Sequence, residues 1–148
     1  KSINPMTLEK WVKYAVIQSF SLSSNQLDKQ MDALKKCYTK QGWQGFNEAM
    51  DKSGNLKAIE AQKLTLKSQI DGKVAVQQTK ENQWKATVLL SVKYQNDKQK
   101  LTQLLSVDLI IGRKVSGDLG IMQMIATPRI AGENGSQTEP SQEVSQSD

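Results

Sequence analysis

The sequence contains no histidine, only one cysteine, Cys37, and only two arginines, Arg113 and Arg129. Without histidine there is no Ser-His or Cys-His catalytic pair and no histidine-ligated metal site. A single cysteine also excludes an intrachain disulfide and a Cys-x-x-Cys centre. These absences remove most familiar catalytic chemistry, so we predict that the chain is not an enzyme and uses no cofactor.

Long hydrophobic runs are also missing. No stretch reaches the ~18 consecutive apolar residues that crossing a bilayer requires, and the mean hydropathy is −0.56. The 148 residues suffice for one domain with an ordinary core. Because the sequence starts at Lys1 and shows no signal-peptide pattern, we expect a fragment of a longer reading frame, with any membrane anchor upstream.

The charge is distributed unevenly along the chain. The whole chain carries +5, but four acidic residues and no lysine or arginine follow Ile130, so residues 1–130 carry +9. Residues 131–148 are rich in Ser, Gln, Glu and Gly, and such a composition buries too little apolar surface to order a segment. We therefore predict one basic domain over residues 1–130 and a disordered acidic tail over residues 131–148.

Helical periodicity dominates the N-terminal part of the sequence. Asn4-Pro5 is typical of a helix start, and the apolar residues after it recur on one stripe. A second predicted helix is capped by Ser24 and ends near Thr39. A third ends at Ser53-Gly54, where glycine supplies a left-handed residue, and Asn55 is expected to cap one further turn.

Beyond Gln62 the apolar period changes from 3.6 to 2, which predicts strands. Asp71-Gly72 predicts a two-residue hairpin turn. Strict alternation predicts long strands over residues 84–94 and 101–111, and a last strand near residues 121–126.

Helices followed by consecutive antiparallel strands form the α+β pattern. We predict N-terminal helices packed on a curved antiparallel sheet of about four strands. Alternating strands imply that only one face of this sheet is covered, which leaves the other face free to contact a partner. The residues predicted to form the core are Trp43, Phe46, Trp84 and Ile125.

Lysines occur throughout the predicted domain, and a basic surface can bind nucleic acid. Base-reading proteins rely on arginine and on exposed aromatic side chains, whereas Trp11, Trp43 and Phe46 lie on predicted apolar stripes. A solvated lysine surface is therefore the favoured interpretation. The alternative is a DNA-contacting protein whose affinity falls steeply with salt.

Three other features allow both a structural and a functional interpretation. Asp28 and Asp32 lack a third ligand for a cation, so a surface charge pair is favoured. Gly42 and Gly45 lack the Lys-Ser/Thr of a phosphate loop and are interpreted as helix breakers. Cys37 is interpreted as a small half-buried hydrophobe, and a cysteine link between two copies is the alternative.

Asp108 is the acidic residue that interrupts an apolar strand. A cone-shaped ligand-binding domain or small enzyme would need a buried acid, so a closed pocket around Asp108 would favour that function. The alternation places Asp108 on the face opposite Val107, and an exposed Asp108 would contradict this alternative. Met122 and Met124, on the last strand, are assigned to core packing.

Several segments resemble a known family. The segment YTKQGWQGF at residues 38–46 and the closing segment GIMQMIATP at residues 120–128 are similar to motifs of the DotI/IcmL/TraM family. The segments KLTL at residues 63–66 and VKY at residues 92–94 are similar to its strands. The likeness extends over about residues 11–128.

This resemblance implies the periplasmic domain of a bacterial inner-membrane protein of type IVB secretion or I-type plasmid conjugation, with one transmembrane helix upstream. It implies a nuclear-transport-factor-two-like cone, similar to the VirB-type assembly factor of type IVA systems. The implied partners are other secretion or conjugation subunits, including a related inner-membrane protein, and further copies of the chain. The implied role is structural, through protein-protein contacts, with no catalytic, cofactor-binding or metal-binding residues.

Overall fold

The first helix begins where the sequence predicts. The side chain of Asn4 accepts hydrogen bonds from the backbone N–H groups of Met6 at 2.8 Å and Thr7 at 3.3 Å, which satisfies two donors that a helix start leaves unpaired. The computed structural model describes residues 3–131, and in it helix α1 spans Pro5–Ser19. Among these residues, no helix combines the length and the apolar character that crossing a membrane requires.

The second helix is shorter than predicted. Helix α2 spans Leu27–Leu34 and lies between two short 3-10 turns, Ser24–Gln26 and Lys35–Cys37. Tyr38 then adopts an extended conformation and bridges to Ile121 in the sheet. The helix therefore ends before Thr39 because the chain leaves it to pair with a strand.

The third helix ends as predicted. Helix α3 spans Lys40–Ser53, and Gly54 closes it in the left-handed conformation at a φ of 75°. Helix α4, Asn55–Gln62, follows directly. Gly42 and Gly45 lie inside α3, so their interpretation as helix breakers is wrong. Gly42 is buried where the backbone of the sheet passes against the helix.

The sheet contains five antiparallel strands, one more than predicted. In chain order these are β1 (Thr65–Ile70), β2 (Ala75–Lys80), β3 (Gln83–Gln95), β4 (Lys100–Arg113) and β5 (Leu119–Pro128). The spatial order is β1-β3-β4-β5, and β2 also pairs with β3. The helices cover one face of this sheet, which confirms the predicted α+β fold.

The prediction of a hairpin at Asp71-Gly72 is wrong. Strands β1 and β2 follow one another along the same edge of β3, because Ile70 pairs with Leu90 and Ala75 pairs with Thr87. The backbone N–H of Asp71 donates to the carbonyl of Leu89 at 2.8 Å, which holds the connection against β3. The tight hairpin is instead the β2–β3 turn at residues 81–82.

A bulge in β5 reverses the alternation that the sequence suggests. Ile110 pairs with Gln123 and Ile111 pairs with Ile121, so Met122 is an extra residue. Ile121 is consequently fully buried, whereas Ile125 is 49% exposed on the opposite face. The prediction that Ile125 belongs to the core is therefore wrong.

The same bulge separates the two methionines of β5. Met122 is 37% exposed, so its assignment to core packing is wrong. Met124 is partly buried and packs against the core.

Arg129 fastens the end of the sheet. Its Nε donates to the carbonyl of Leu105 in β4 at 2.9 Å, and its Nη2 donates to the carbonyl of Leu90 in β3 at 3.4 Å. The same Nη2 lies 2.7 Å from Oδ2 of Asp71 in the β1–β2 connection. One side chain thus connects the end of β5 to β4, to β3 and to the β1–β2 connection.

Residues 132–148 of the predicted tail lie outside the described residues, and the division of the chain at residue 130 stays a prediction.

Candidate interaction surface

Within residues 3–131, no helix covers one of the two faces of the sheet. The side chains of Val88 in β3 and Val107 in β4 are fully buried, so the residues alternating with them point to the other side. We call that side the open face. It comprises Lys85, Thr87 and Leu89 of β3, Leu104, Asp108 and Ile110 of β4, and Gln123, Ile125 and Thr127 of β5. Ser106 of β4 belongs to the same side by alternation but is buried, at 2% exposure.

The centre of the open face is a row of three paired residues. Thr87, Asp108 and Ile125 lie side by side on adjacent strands, and Thr87 Oγ1 donates to Asp108 Oδ1 at 2.8 Å. Half-buried Leu89 and Ile110 lie in the rows on either side. The surface therefore combines exposed apolar area with a carboxylate held in place by its neighbour.

Asp108 is exposed. Its side chain is on the open face, and its carboxylate accepts the hydrogen bond from Thr87. The placement opposite Val107 is as predicted. This exposure contradicts the alternative of a ligand-binding or catalytic pocket built around Asp108.

The four predicted core residues divide between the two faces. Phe46 and Trp84 are buried, and Trp43 is partly buried and stacks on Phe46 with ring centroids 5.5 Å apart. The helix that carries Trp43 and Phe46 packs on β5, two strands from Trp84. Ile125 alone lies on the open face.

Tyr38 packs with Trp43 and Phe46, although it is not among the four residues predicted to form the core. Its ring lies 5.4 Å from Trp43 and 5.2 Å from Phe46, and its hydroxyl lies 2.7 Å from Ser19 Oγ. Ser19 Oγ in turn donates to the carbonyl of Ala15 at 2.8 Å. Burial raises the pKa of the Tyr38 phenol well above its ordinary value, and the hydrogen bond to Ser19 offsets this only in part.

Cys37 is buried rather than half-buried. It is a free thiol at 7% exposure, so a cysteine link between copies would require this part of the chain to open. Burial raises the pKa of the Cys37 thiol, and the nearby charge of Lys114 acts in the opposite direction. The thiol is therefore a poor nucleophile in the folded chain.

The charged residues lie mostly on the surface. Asp28 and Asp32 are both exposed, and within residues 3–131 no three His, Cys, Asp or Glu side chains are grouped to hold a metal ion. Among the lysines of the same residues, only Lys13 lies within ion-pair distance of a carboxylate, that of Glu9 at 3.3 Å. Most of the positive charge thus remains unneutralised by neighbouring acids.

Within residues 3–131, Tyr14 offers an exposed aromatic ring for stacking on nucleic-acid bases, at 57% exposure, but most of the other aromatic side chains are buried or partly buried. Phe46 and Trp84 are in the core, and Trp11 and Trp43 are partly buried against it. Because single-strand binding proteins stack bases on exposed rings, this burial disfavours the DNA-contacting alternative.

A comparison with protein families gives one match. The sequence model described as the type IVb secretion system inner-membrane complex component DotI/IcmL matches residues 4–128, which is most of the chain. The chain belongs to the DotI/IcmL family. The matched range ends one residue before Arg129 and includes every strand of this DotI/IcmL-family domain, so the resemblance predicted from residues 38–46 and 120–128 is confirmed. A comparison with curated proteins finds no match.

Solved structures show the same fold. An IcmL-like type IV secretion system protein from Legionella pneumophila is 16% identical over 90% of this chain and 99% of its own, with a TM-score of 0.85. The periplasmic domain of DotI is 23% identical, covering 87% and 99%, with a TM-score of 0.80. A periplasmic fragment of TraM is 17% identical, covering 86% and 100%, with a TM-score of 0.76.

These likenesses confirm the predicted architecture. The helices and open sheet form the nuclear-transport-factor-two-like fold that a VirB8 homologue also adopts. The relatives are inner-membrane components of type IV secretion systems or periplasmic domains. The DotI/IcmL-family domain described here is therefore related to structural subunits.

Proposed function

We propose that this chain is the periplasmic domain of an inner-membrane subunit of a type IVB secretion or conjugative transfer apparatus, and that its open face contacts a neighbouring subunit. Membership of the DotI/IcmL family supports the assignment to the apparatus. The periplasmic location is proposed because structural relatives are periplasmic domains. In this role the chain needs no catalytic residue or cofactor.

The exposure of Ile125 is the observation that supports the open face as a contact surface. A large aliphatic side chain at 49% exposure lies on the edge strand β5, on a sheet face that the described helices leave uncovered. Burying such a side chain in an interface removes apolar area from water at about 25 cal/mol per Å². A partner that covers Ile125 also has Asp108 and Thr87 beside it to set its orientation.

Site-specific photo-crosslinking in living cells tests this contact. A photoreactive amino acid at Ile125 of the membrane-borne full-length protein is expected to give a crosslink to another subunit of the apparatus. The same amino acid at Lys57, an exposed position on α4, is the control and is expected to give much less of that product. Equal crosslinking at both positions would contradict a specific role for the open face.

The location is tested separately by protease access. In intact cells the domain is expected to be protected, and in spheroplasts it is expected to be digested while a cytoplasmic marker survives. Protection until the membrane itself is lysed would place the domain in the cytoplasm. That result would contradict the proposed periplasmic role and favour the DNA-binding alternative.

A further inference from the structure

A groove of ≈ 850 Å³ lies at the opposite end of β5 from Arg129. It is bordered by the 3-10 turn Lys35–Cys37, the start of α3, and Lys114 just after β4. The rings of Tyr38 and Trp43 line it, packed edge to face with centroids 5.4 Å apart. We call this feature the lysine groove.

The charge of the lysine groove is strongly one-sided. Four lysines, Lys35, Lys36, Lys40 and Lys114, line it, and Asp32 is its only acid. Lys114 Nζ donates to the main-chain carbonyl of Lys36, which fixes its position across the groove. Converging lysines attract carboxylates, and their aliphatic stems together with the two rings give such a ligand an apolar surface to lie on.

The sequence itself contains a segment of complementary charge. Residues 131–148 include four acidic residues and no lysine or arginine. No other segment of this length in the chain has that composition. Because this segment is covalently attached to the domain, its effective concentration at the groove is high.

Chain length decides which of these acids can reach the groove. The backbone N–H of Arg129 donates to the carbonyl of Leu104, and the path along β4 from Leu104 to Lys114 is about 32–34 Å. A fully extended chain from Arg129 would span about 14 Å at Glu133 but about 50 Å at Glu143. Contour length therefore permits Glu143 and Asp148 to reach the lysine groove and does not permit Glu133 to do so.

We propose that residues 139–148 dock in the lysine groove, with the carboxylates of Glu143 and Asp148 against its lysines. The docked segment covers Trp43 and occupies the groove that an acidic segment of another protein would otherwise use. This inference goes beyond the proposed function, which depends on the open face. Its failure would leave the crosslinking and protease tests unaffected.

The test is amide NMR on the 148-residue chain at low salt, where the Debye length approaches about 30 Å. Glu143→Gln is expected to shift the signals of residues 35–40 and the Trp43 indole. Glu133→Gln, which removes the same charge from the same segment, is expected to leave these signals in place. The difference is expected to vanish in 0.5 M salt, where charges are screened within a few ångströms.

A second pair of variants checks that the groove is the receiving site. In a Lys40→Gln background, Glu143→Gln is expected to lose most of its effect on residues 35–40. Lys67→Gln, at an exposed position on β1, removes the same charge elsewhere and is expected to preserve that effect.

Three outcomes would overturn the proposal. The first is no shift from Glu143→Gln at low salt, and the second is an equal effect of Glu133→Gln. The third is a shift that grows with protein concentration, because docking would then be onto a second copy.

Discussion

Gly42 in α3 lies directly against the main-chain carbonyl of Ile121 in β5. A Cβ atom added at Gly42 would lie 1.8 Å from that oxygen, well inside van der Waals contact. The same oxygen accepts hydrogen bonds from the backbone N–H of Thr39 at 3.0 Å and from its hydroxyl at 3.2 Å. Helix α3 and strand β5 therefore meet through their backbones, and the absence of a side chain at residue 42 makes this possible.

Gly42→Ala is expected to destabilise the fold by about 1–3 kcal/mol, because the added methyl group must push the helix away from β5. Gly45→Ala is the matched control. No atom lies within 4 Å of the Cβ it would add, so the better helix propensity of alanine should stabilise the chain by about 0.5–1 kcal/mol. Urea unfolding measures both free energies, and equal effects of the two variants would contradict the close approach.

Ile121 and Ile125 are the same type of residue but lie on opposite faces of the sheet. Ile121→Ala is expected to cost about 2–5 kcal/mol in the free energy of unfolding, because a fully buried side chain leaves a cavity. Ile125→Ala, on the open face, should change it by no more than about 0.5 kcal/mol. Thermal or urea unfolding distinguishes them. Similar losses would show that the bulge at Met122 does not place Ile121 and Ile125 on opposite faces of the sheet.

Asp71 and Arg129 are expected to be coupled in their effects on stability. The Arg129 side chain is 2% exposed, whereas that of Asp71 is 50% exposed. Asp71→Ala leaves a buried cation without its counter-charge and should cost about 3 kcal/mol. Arg129→Met leaves a carboxylate that water solvates and should cost about 1–3 kcal/mol, chiefly from lost hydrogen bonds.

The double variant of this pair is the control. Once Arg129 is methionine, Asp71→Ala no longer leaves a buried charge without a counter-charge. It should therefore add little to the loss of stability. Additive losses, measured by urea unfolding, would mean that the two side chains are not coupled.

Loss of the Tyr38 proton is expected to lower the stability of the fold at alkaline pH. Burial raises the pKa of this phenol in the folded chain above the value of about 10 that it has when unfolded. Below pH ~10 both states keep the proton and the hydrogen bond to Ser19 contributes fully. Above it the unfolded chain loses the proton first, so the free energy of unfolding decreases as pH rises.

Tyr38→Phe separates these two contributions. At pH 8 the variant should be less stable by about 0.5–1.5 kcal/mol, because the hydrogen bond between the Tyr38 hydroxyl and Ser19 is lost. Above pH ~10 the difference in stability between the original chain and the variant should become smaller, because phenylalanine has no proton to lose. Urea unfolding at both pH values measures this, and a constant gap would contradict a buried, protonated Tyr38.

Local chemistry was sufficient to predict much of this fold. The Asn4 cap, the stop at Gly54 and the change of period after Gln62 each depend on neighbouring residues, so the order of helices and strands could be derived from the sequence. The open face follows from the same alternation, which placed Asp108 correctly. The 38–46 and 120–128 segments carried the family resemblance, although the sequence alone did not explain why residue 42 in the first segment is glycine.

Contacts between distant segments decided the remainder. The bulge at Met122 depends on how β5 aligns with β4, and it moved Ile125 from the predicted core to the open face. Asp71-Gly72 has the composition of a hairpin turn, but β3 holds both flanking strands on one edge. Gly42 and Arg129 gain their roles only where α3 meets β5 and where β5 ends beside β4. The sequence by itself determined which elements form and in what order, because capping and periodicity are local, whereas register and close approach require the partner strand to be in place.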